Sequence, residues 1–215
     1  MYRKEFLVIT LVAVVLFLAV AGAGWSAILK LQNTSKMLVV DTLPGLVDTG
    51  QAIERMNDNR RTMFGMLNAR TGAERAQLLA LVRTNSTDTL WSDYTTSIFE
   101  PEDRQNYQAM VLVRSNYLQG CEAYFEMLSV GKTNEASNFF YGDLSRNFRS
   151  YNEAAKKLFN YNVRQGKDRG EIIIHITSFS LWVIAGVSVF LFVIGLFFGM
   201  RYSLFALHYV LRRDK

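Results

Sequence analysis

A single cysteine, two prolines and two histidines in 215 residues exclude several classes of protein at once. One cysteine permits no disulfide framework, and Cys-rich zinc sites go with it. Two prolines and long stretches without turn residues argue against an all-β domain. No H-E-x-x-H, P-loop, G-x-S-x-G or dinucleotide fingerprint occurs, and Gly22-Ala23-Gly24 lies inside an apolar run. His175 and His208 stand near opposite ends of a second apolar run and cannot share a metal. The acids Glu122 and Glu126, one helical turn apart, read as a solvated face, and Cys121 reads as a small buried thiol. No catalytic group, cofactor motif or metal-ligand set is legible, so the chain reads as a non-enzyme. Charge is also missing by region. It is absent from Phe6–Leu29 and from Ile176–Met200, while Lys30–Ser178 carries 18 basic and 17 acidic residues. Of the net charge of +5, +4 therefore sits on the two short tails, and the nearly neutral middle offers no nucleic-acid-binding surface.

The two uncharged runs are what the chain has in excess. Phe6–Leu29 would make roughly 36 Å of helix, enough to cross a hydrocarbon core of about 30 Å. Ala21-Gly22-Ala23 resembles a signal-peptidase site, but the run continues past it to Leu29, which favours an uncleaved helix. Ile176–Met200 is the second span. Arg3 and Lys4 precede the first, and Arg201, Arg212, Arg213 and Lys215 follow the second. That bias predicts both tails in the cytoplasm and the middle outside it. The expected organisation is a tail (1–5), a transmembrane helix (6–29), an extracytoplasmic domain (30–175), a second transmembrane helix (176–200) and a tail (201–215). Gly195 and Gly199 form a small-xxx-small pair that suits either a close helix contact or ordinary membrane-helix composition.

Between the spans the period is helical. Leu43, Leu46, Gly50, Ile53, Met56, Arg60, Met63 and Leu67 recur at steps of three and four, which predicts a first helix running on from the span. Pro44 predicts a bend in it. After Thr71-Gly72 a second helix is expected over about 73–98, with a polar, weakly patterned middle at Thr84–Thr89. Pro101-Glu102-Asp103 opens a third, about 102–130, with proline and acids in its first turn. Gly131 stops it, and a fourth helix presents Phe140, Leu144, Phe148, Tyr151, Ala155 and Leu158 on one face. The fold class is all-α: an up-down-up-down antiparallel four-helix bundle flanked by two transmembrane helices.

Several local patterns point one way. Leu43-Pro44 leads to Arg60-Arg61 on the first helix; Trp91-Ser92-Asp93-Tyr94 precedes Pro101-Glu102-Asp103-Arg104; Gly131-Lys132 precedes Glu135-Ala136; and Tyr161-Asn162 stands ahead of the second span. In order and spacing, residues 1–200 resemble the four-helix-bundle ligand-sensing part of bacterial methyl-accepting chemotaxis receptors. Such receptors usually continue into a HAMP linker and a methylated, kinase-docking hairpin. Residues 201–215 do not resemble that module, which suggests a truncated receptor or a sensor that signals through other membrane proteins.

The resemblance implies a two-pass protein of the bacterial inner membrane that binds a small ligand outside and moves a helix across the bilayer. The alternatives are a non-sensing membrane scaffold and an input subunit for a separately encoded signalling enzyme. Expected partners are the lipid bilayer, a second copy paired through the first helices, and possible other chemoreceptors or a signalling protein, with no nucleic acid. Val111, Leu118 and Phe125 put apolar residues on a second face of the third helix, which also predicts a homodimer. In the family, arginines on the first helix and polar groups on the fourth meet ligand carboxylates. This makes Arg60, Arg61, Tyr151 and Asn152 the candidate ligand-binding set. The competing role for Arg60 is an internal ion pair with Glu153 or Asp143, with Arg61 solvated.

Overall fold

The computed structural model describes the backbone of residues 2–213 and the side chains of 11–200, apart from positions 13, 16, 198 and 199. The tail positions Arg3, Lys4, Arg201, His208, Arg212, Arg213 and Lys215 and the side of Gly199 lie outside the residues described at side-chain level. Among the described residues every regular element is helical: α1 (Tyr2–Met37), a five-residue π turn (Leu38–Thr42), α2 (Leu43–Asn68), α3 (Gly72–Thr84), α4 (Asp88–Thr96), α5 (Pro101–Ser129), α6 (Thr133–Tyr141) and α7 (Asp143–Arg213). The fold is all-α. Two compact units are present: residues 36–169, which form the bundle, and the apolar segments on either side of them.

Within the bundle the four arms are α2, α3 with α4, α5, and α6 with the first part of α7. The sequence explains their ends. Thr71 accepts a hydrogen bond from the Glu74 amide (3.1 Å), and the Glu74 carboxylate accepts from the Arg70 amide (2.9 Å), which closes the start of α3. Pro101 occupies the first turn of α5, where its missing N–H costs nothing. At the far end Gly131 adopts φ 78°, and the amides of Gly131 and Lys132 fold back onto the carbonyls of Leu128 and Met127. That pair of bonds requires a left-handed residue, which glycine supplies without a Cβ clash.

At Pro44 the expected irregularity takes a specific form. The turn before it widens to a π turn, with the Leu43 amide bonded to the Leu38 carbonyl. Widening absorbs the register change forced by a residue that has no N–H and crowds the preceding turn. It also brings Asp41 and Thr42 inside, both buried.

Two predicted helices are broken. The second arm parts at Asn85–Thr87, within its polar middle, and the fourth parts at Gly142. Each break leaves orphan carbonyls, and α2 supplies their donors. Arg55 donates to the Ser86 carbonyl (3.0 Å), Asn59 to the Asn85 carbonyl (3.0 Å), and Arg60 to the Phe140 carbonyl (2.8 Å). The polar residues that interrupt the apolar stripe of α2 thus hold the breaks in its two neighbours.

The core is built from methionine and tyrosine. Met56, Met63, Met110, Tyr94, Tyr124 and Tyr151 are among its fully buried side chains. Buried phenols need partners. Tyr124 donates to the Met63 carbonyl at 2.7 Å, and Tyr94 donates to Asp103 at 2.5 Å.

In the other unit, the C-terminal helix is long and apolar enough to cross a membrane; it alone passes that test among the described residues. Its large apolar side chains, Trp182 (78%) and Phe192 (66%) among them, face outwards. Phe6–Leu29 is helical throughout, but part of it lies outside the residues described at side-chain level.

Candidate functional site

The four candidate residues are distributed over different surroundings. The Arg60 guanidinium lies over the Phe140 ring, 3.5 Å from its centroid, with the Phe148 ring 5.3 Å away. Its Nη2 donates to the Phe140 carbonyl and to Ser145 Oγ (2.7 Å), while Nη1 is buried without a partner. Neither acid that the sequence offered meets it. Asp143 pairs with Arg146, and Glu153 is exposed. Instead the cation sits at the C-terminal end of α6, where the helix dipole is negative, and on an aromatic face. Burial pulls its pKa down from the ordinary arginine value. Arg61, the next residue, points to solvent and pairs with Asp58 at 2.9 Å.

Tyr151 lies deep in the bundle. Its hydroxyl accepts from Trp91 Nε1 at 2.7 Å and stands 3.4 Å from Thr87 Oγ1. Asn152 turns aside, half-buried, with Oδ1 lacking a partner. The structure therefore joins Tyr151 to the second arm and Arg60 to the fourth, and leaves Arg61 on the surface.

Tyr151 also reaches the floor of a cleft of about 660 Å³ between α2, α3 and α5. Met56, Met63, Tyr117 and Phe125 contribute apolar surface, and Asn59, Arg83, Asp88 and Arg114 contribute polar groups. The cleft follows from local structure: no residue of α3 is fully buried, and its Leu78, Leu79 and Val82 are only half-covered by the core. Val111, Leu118 and Phe125, whose second apolar face suggested a dimer surface, line this cleft. Arg114 is its most enclosed charged group, with 17% of the side chain exposed. Its Nη2 pairs with Asp88, whose carboxyl is held below the ordinary range first by the Ser86 hydroxyl and then by Arg114. Cys121 borders the same space, but burial pushes its thiol up to about 12, so it is unreactive at neutral pH.

A second polar centre escaped sequence reading. Arg169 is buried at the base of the bundle. Nη1 lies 2.7 Å from Asp41 Oδ2, and donates to Thr42 Oγ1 (2.5 Å) and to the Met37 carbonyl (3.1 Å). Close by in the core, Asn162 donates to Tyr94 (3.0 Å), which donates to Asp103. Burial raises the Asp103 pKa to about 6, and nearby Asp41 and Glu102 add to the rise. A signal existed: Leu158, Asn162, Gln165 and Arg169 continue the buried stripe of α7 at helical spacing.

A comparison with known families places this bundle. The model of a four-helix-bundle sensory module for signal transduction matches residues 3–172. The chain belongs to this family, the sensory module of methyl-accepting chemotaxis proteins. A comparison with curated proteins found no match. The family is a module for signal transduction and not a catalytic one. In that setting the buried charges of this sensory module are parts of a signalling bundle.

Proposed function

We propose that this sensory module is a two-pass protein of the bacterial inner membrane. Its bundle stands outside the cytoplasm, binds a small ligand, and passes a helix displacement through the apolar helices at either end. The observation that carries this reading is the sensory-module match over residues 3–172 in a chain whose C-terminal helix is long and apolar enough to cross a membrane and exposes its apolar side chains. Packed helices suit the task, because their interfaces switch between discrete arrangements and do not deform continuously. The protein works as a homodimer through α2, whose outer face exposes Leu43, Val47 and Phe64. Arg60, Arg61, Tyr151 and Asn152 keep a place in this reading as residues through which ligand occupancy alters the bundle. Signal passes on to other membrane receptors or to a separately encoded signalling protein.

Two measurements test it. In a Cys121→Ser background, Lys132→Cys in the α5–α6 turn should react with an impermeant maleimide in spheroplasts without lysis. Labelling only after lysis would reverse the topology. The full chain in detergent, screened by thermal shift against small molecules of every charge class, should be stabilised by at least one. A scaffold would respond to none.

A further inference from the structure

The cleft between α2, α3 and α5 has the size and lining of a binding site, and one of its charged groups is incompletely used. About 660 Å³ falls within the range of small-molecule sites. Apolar side chains from three helices converge there, and α3 is only partly covered, with Leu78, Leu79 and Val82 half-buried against the core. Leaving that surface to water is unfavourable, and a guest with an apolar body would remove it.

Arg114 selects the chemistry. A guanidinium presents Nε–H and Nη2–H along one edge, spaced to hold both oxygens of a carboxylate. Here Nη2 is engaged by Asp88, whereas Nε is buried and has no partner. Half of the edge is therefore unused, and leaving a buried donor unpaired is unfavourable. Asp88 is a weak occupant, since its side chain is 72% exposed and it also accepts from Ser86 at 2.8 Å. Arg83, in the same wall, forms no ion pair; Glu122 also borders the cleft, so the walls are balanced in charge overall. A single negative charge is best met at the Arg114 edge.

We propose that this cleft, within one protomer, binds a small monocarboxylate with an apolar or aromatic body, the carboxylate displacing Asp88 from the Nε/Nη2 edge of Arg114. The proposal rests on the sensor reading above and names its ligand class and site. Closure of α3 over the guest would tighten the second arm against α5, coupling occupancy to the packing of the bundle.

The test is isothermal titration of the full chain in dodecyl maltoside with 3-phenylpropionate, and with 3-phenylpropionamide as the uncharged isostere. Binding of the acid is expected, with the amide at least about tenfold weaker. Arg114→Gln and Arg114→Lys should each weaken the acid about tenfold or more, since neither keeps the charged fork. Ser115→Trp, at an exposed position on the cleft wall, should abolish binding by filling the space. Circular dichroism melts of the variants identify any that fail to fold; the remaining variants then decide. Acid binding that is unchanged in the folded variants places the site elsewhere and overturns the cleft proposal. No binding of 3-phenylpropionate, benzoate or phenylacetate, with stabilisation by neutral or cationic compounds, overturns the ligand class and leaves the sensor reading standing. No response to any class of compound overturns both.

Discussion

Arg169 and Asp41 form a buried ion pair, 2.7 Å apart, that ties α7 to the π turn ahead of α2. Each side chain is under 10% exposed, at 9% and 6%. Glu100 stands 4.0 Å from the same guanidinium, and Thr42 and the Met37 carbonyl complete its shell. Removing one partner strands a buried charge. Asp41→Asn or Arg169→Met should therefore destabilise the bundle by about 3–5 kcal/mol, whereas the double replacement Asp41→Leu/Arg169→Met should recover most of that loss. Urea unfolding in detergent, followed by circular dichroism, measures both. Additive losses in the double variant would show that the two side chains do not act as a pair.

Arg60 predicts a contrast with its neighbour. Arg60→Ala leaves the Phe140 carbonyl and Ser145 without their donor and removes the cation from the Phe140 face. A loss of about 2–4 kcal/mol is expected from the hydrogen bonds, the ring contact and the space left behind. Arg60→Lys should recover little of it, because an ammonium cannot both stack on the ring and bridge the two acceptors. Arg61→Ala should stay within about 0.5 kcal/mol, since its pair with Asp58 is exposed. Equal effects at the two positions would contradict the geometry.

Much of the helical pattern was legible because an apolar stripe records which face is covered. The stripe of the fourth arm, Phe140 on α6 to Leu158 on α7, and the Pro101 and Gly131 boundaries stand where periodicity and turn chemistry put them. The break at Asn85–Thr87 was visible only as a lapse in pattern. The break at Gly142 left no lapse at all, since Phe140 and Leu144 keep helical spacing across it. What spacing cannot show is a donor that serves a different arm. Asn59 and Arg60 are adjacent, yet one bonds to Asn85 and the other to Phe140. Sequence separation hid Arg169 and Asp41 in the same way, for the pair exists only once the first and last arms lie side by side. The cleft is harder still. It arises because α3 leans on α2 and not on α5, a property of packing that no local pattern encodes.

Tyr151 carries a hydrogen-bonding role that its ring alone would not reveal. The hydroxyl accepts from Trp91 Nε1 and stands beside Thr87, just past the break in the second arm. Tyr151→Phe keeps the ring and its packing, so the cost is that of an unsatisfied buried indole N–H, about 1–3 kcal/mol. In a variant with Trp25 and Trp182 replaced by Phe, the emission of Trp91 should also shift. A melt and an emission spectrum both unchanged would mean that the indole finds another acceptor.

Asp103 predicts how stability follows pH. Its carboxyl is almost fully buried (1% exposed) and accepts from the Tyr94 hydroxyl, with Asn162 donating to the same oxygen of Tyr94. Burial, seconded by the charges of Asp41 and Glu102, raises its folded-state pKa from 3.8 to about 6. The folded chain therefore binds this proton more tightly than the unfolded chain does. The resulting stabilisation is fully present below about pH 4 and is lost as pH rises through about 6. From the size of the difference, ionised Asp103 costs roughly 2–3 kcal/mol at neutral pH. Asp103→Asn imitates the protonated acid, keeping an oxygen for Tyr94 while removing the charge. That variant should be more stable than the parent at pH 8 and should lose the part of the slope between pH 4 and 7 that belongs to this group. Asp48, also raised by burial, contributes with the same sign, so the quantity to read is the difference between the two curves. Urea midpoints of parent and variant, taken at intervals from pH 4 to 8, supply it. A variant that is less stable at pH 8, with the parent's slope intact, would mean that Asp103 is ionised without penalty and that its bond from Tyr94 outweighs its burial.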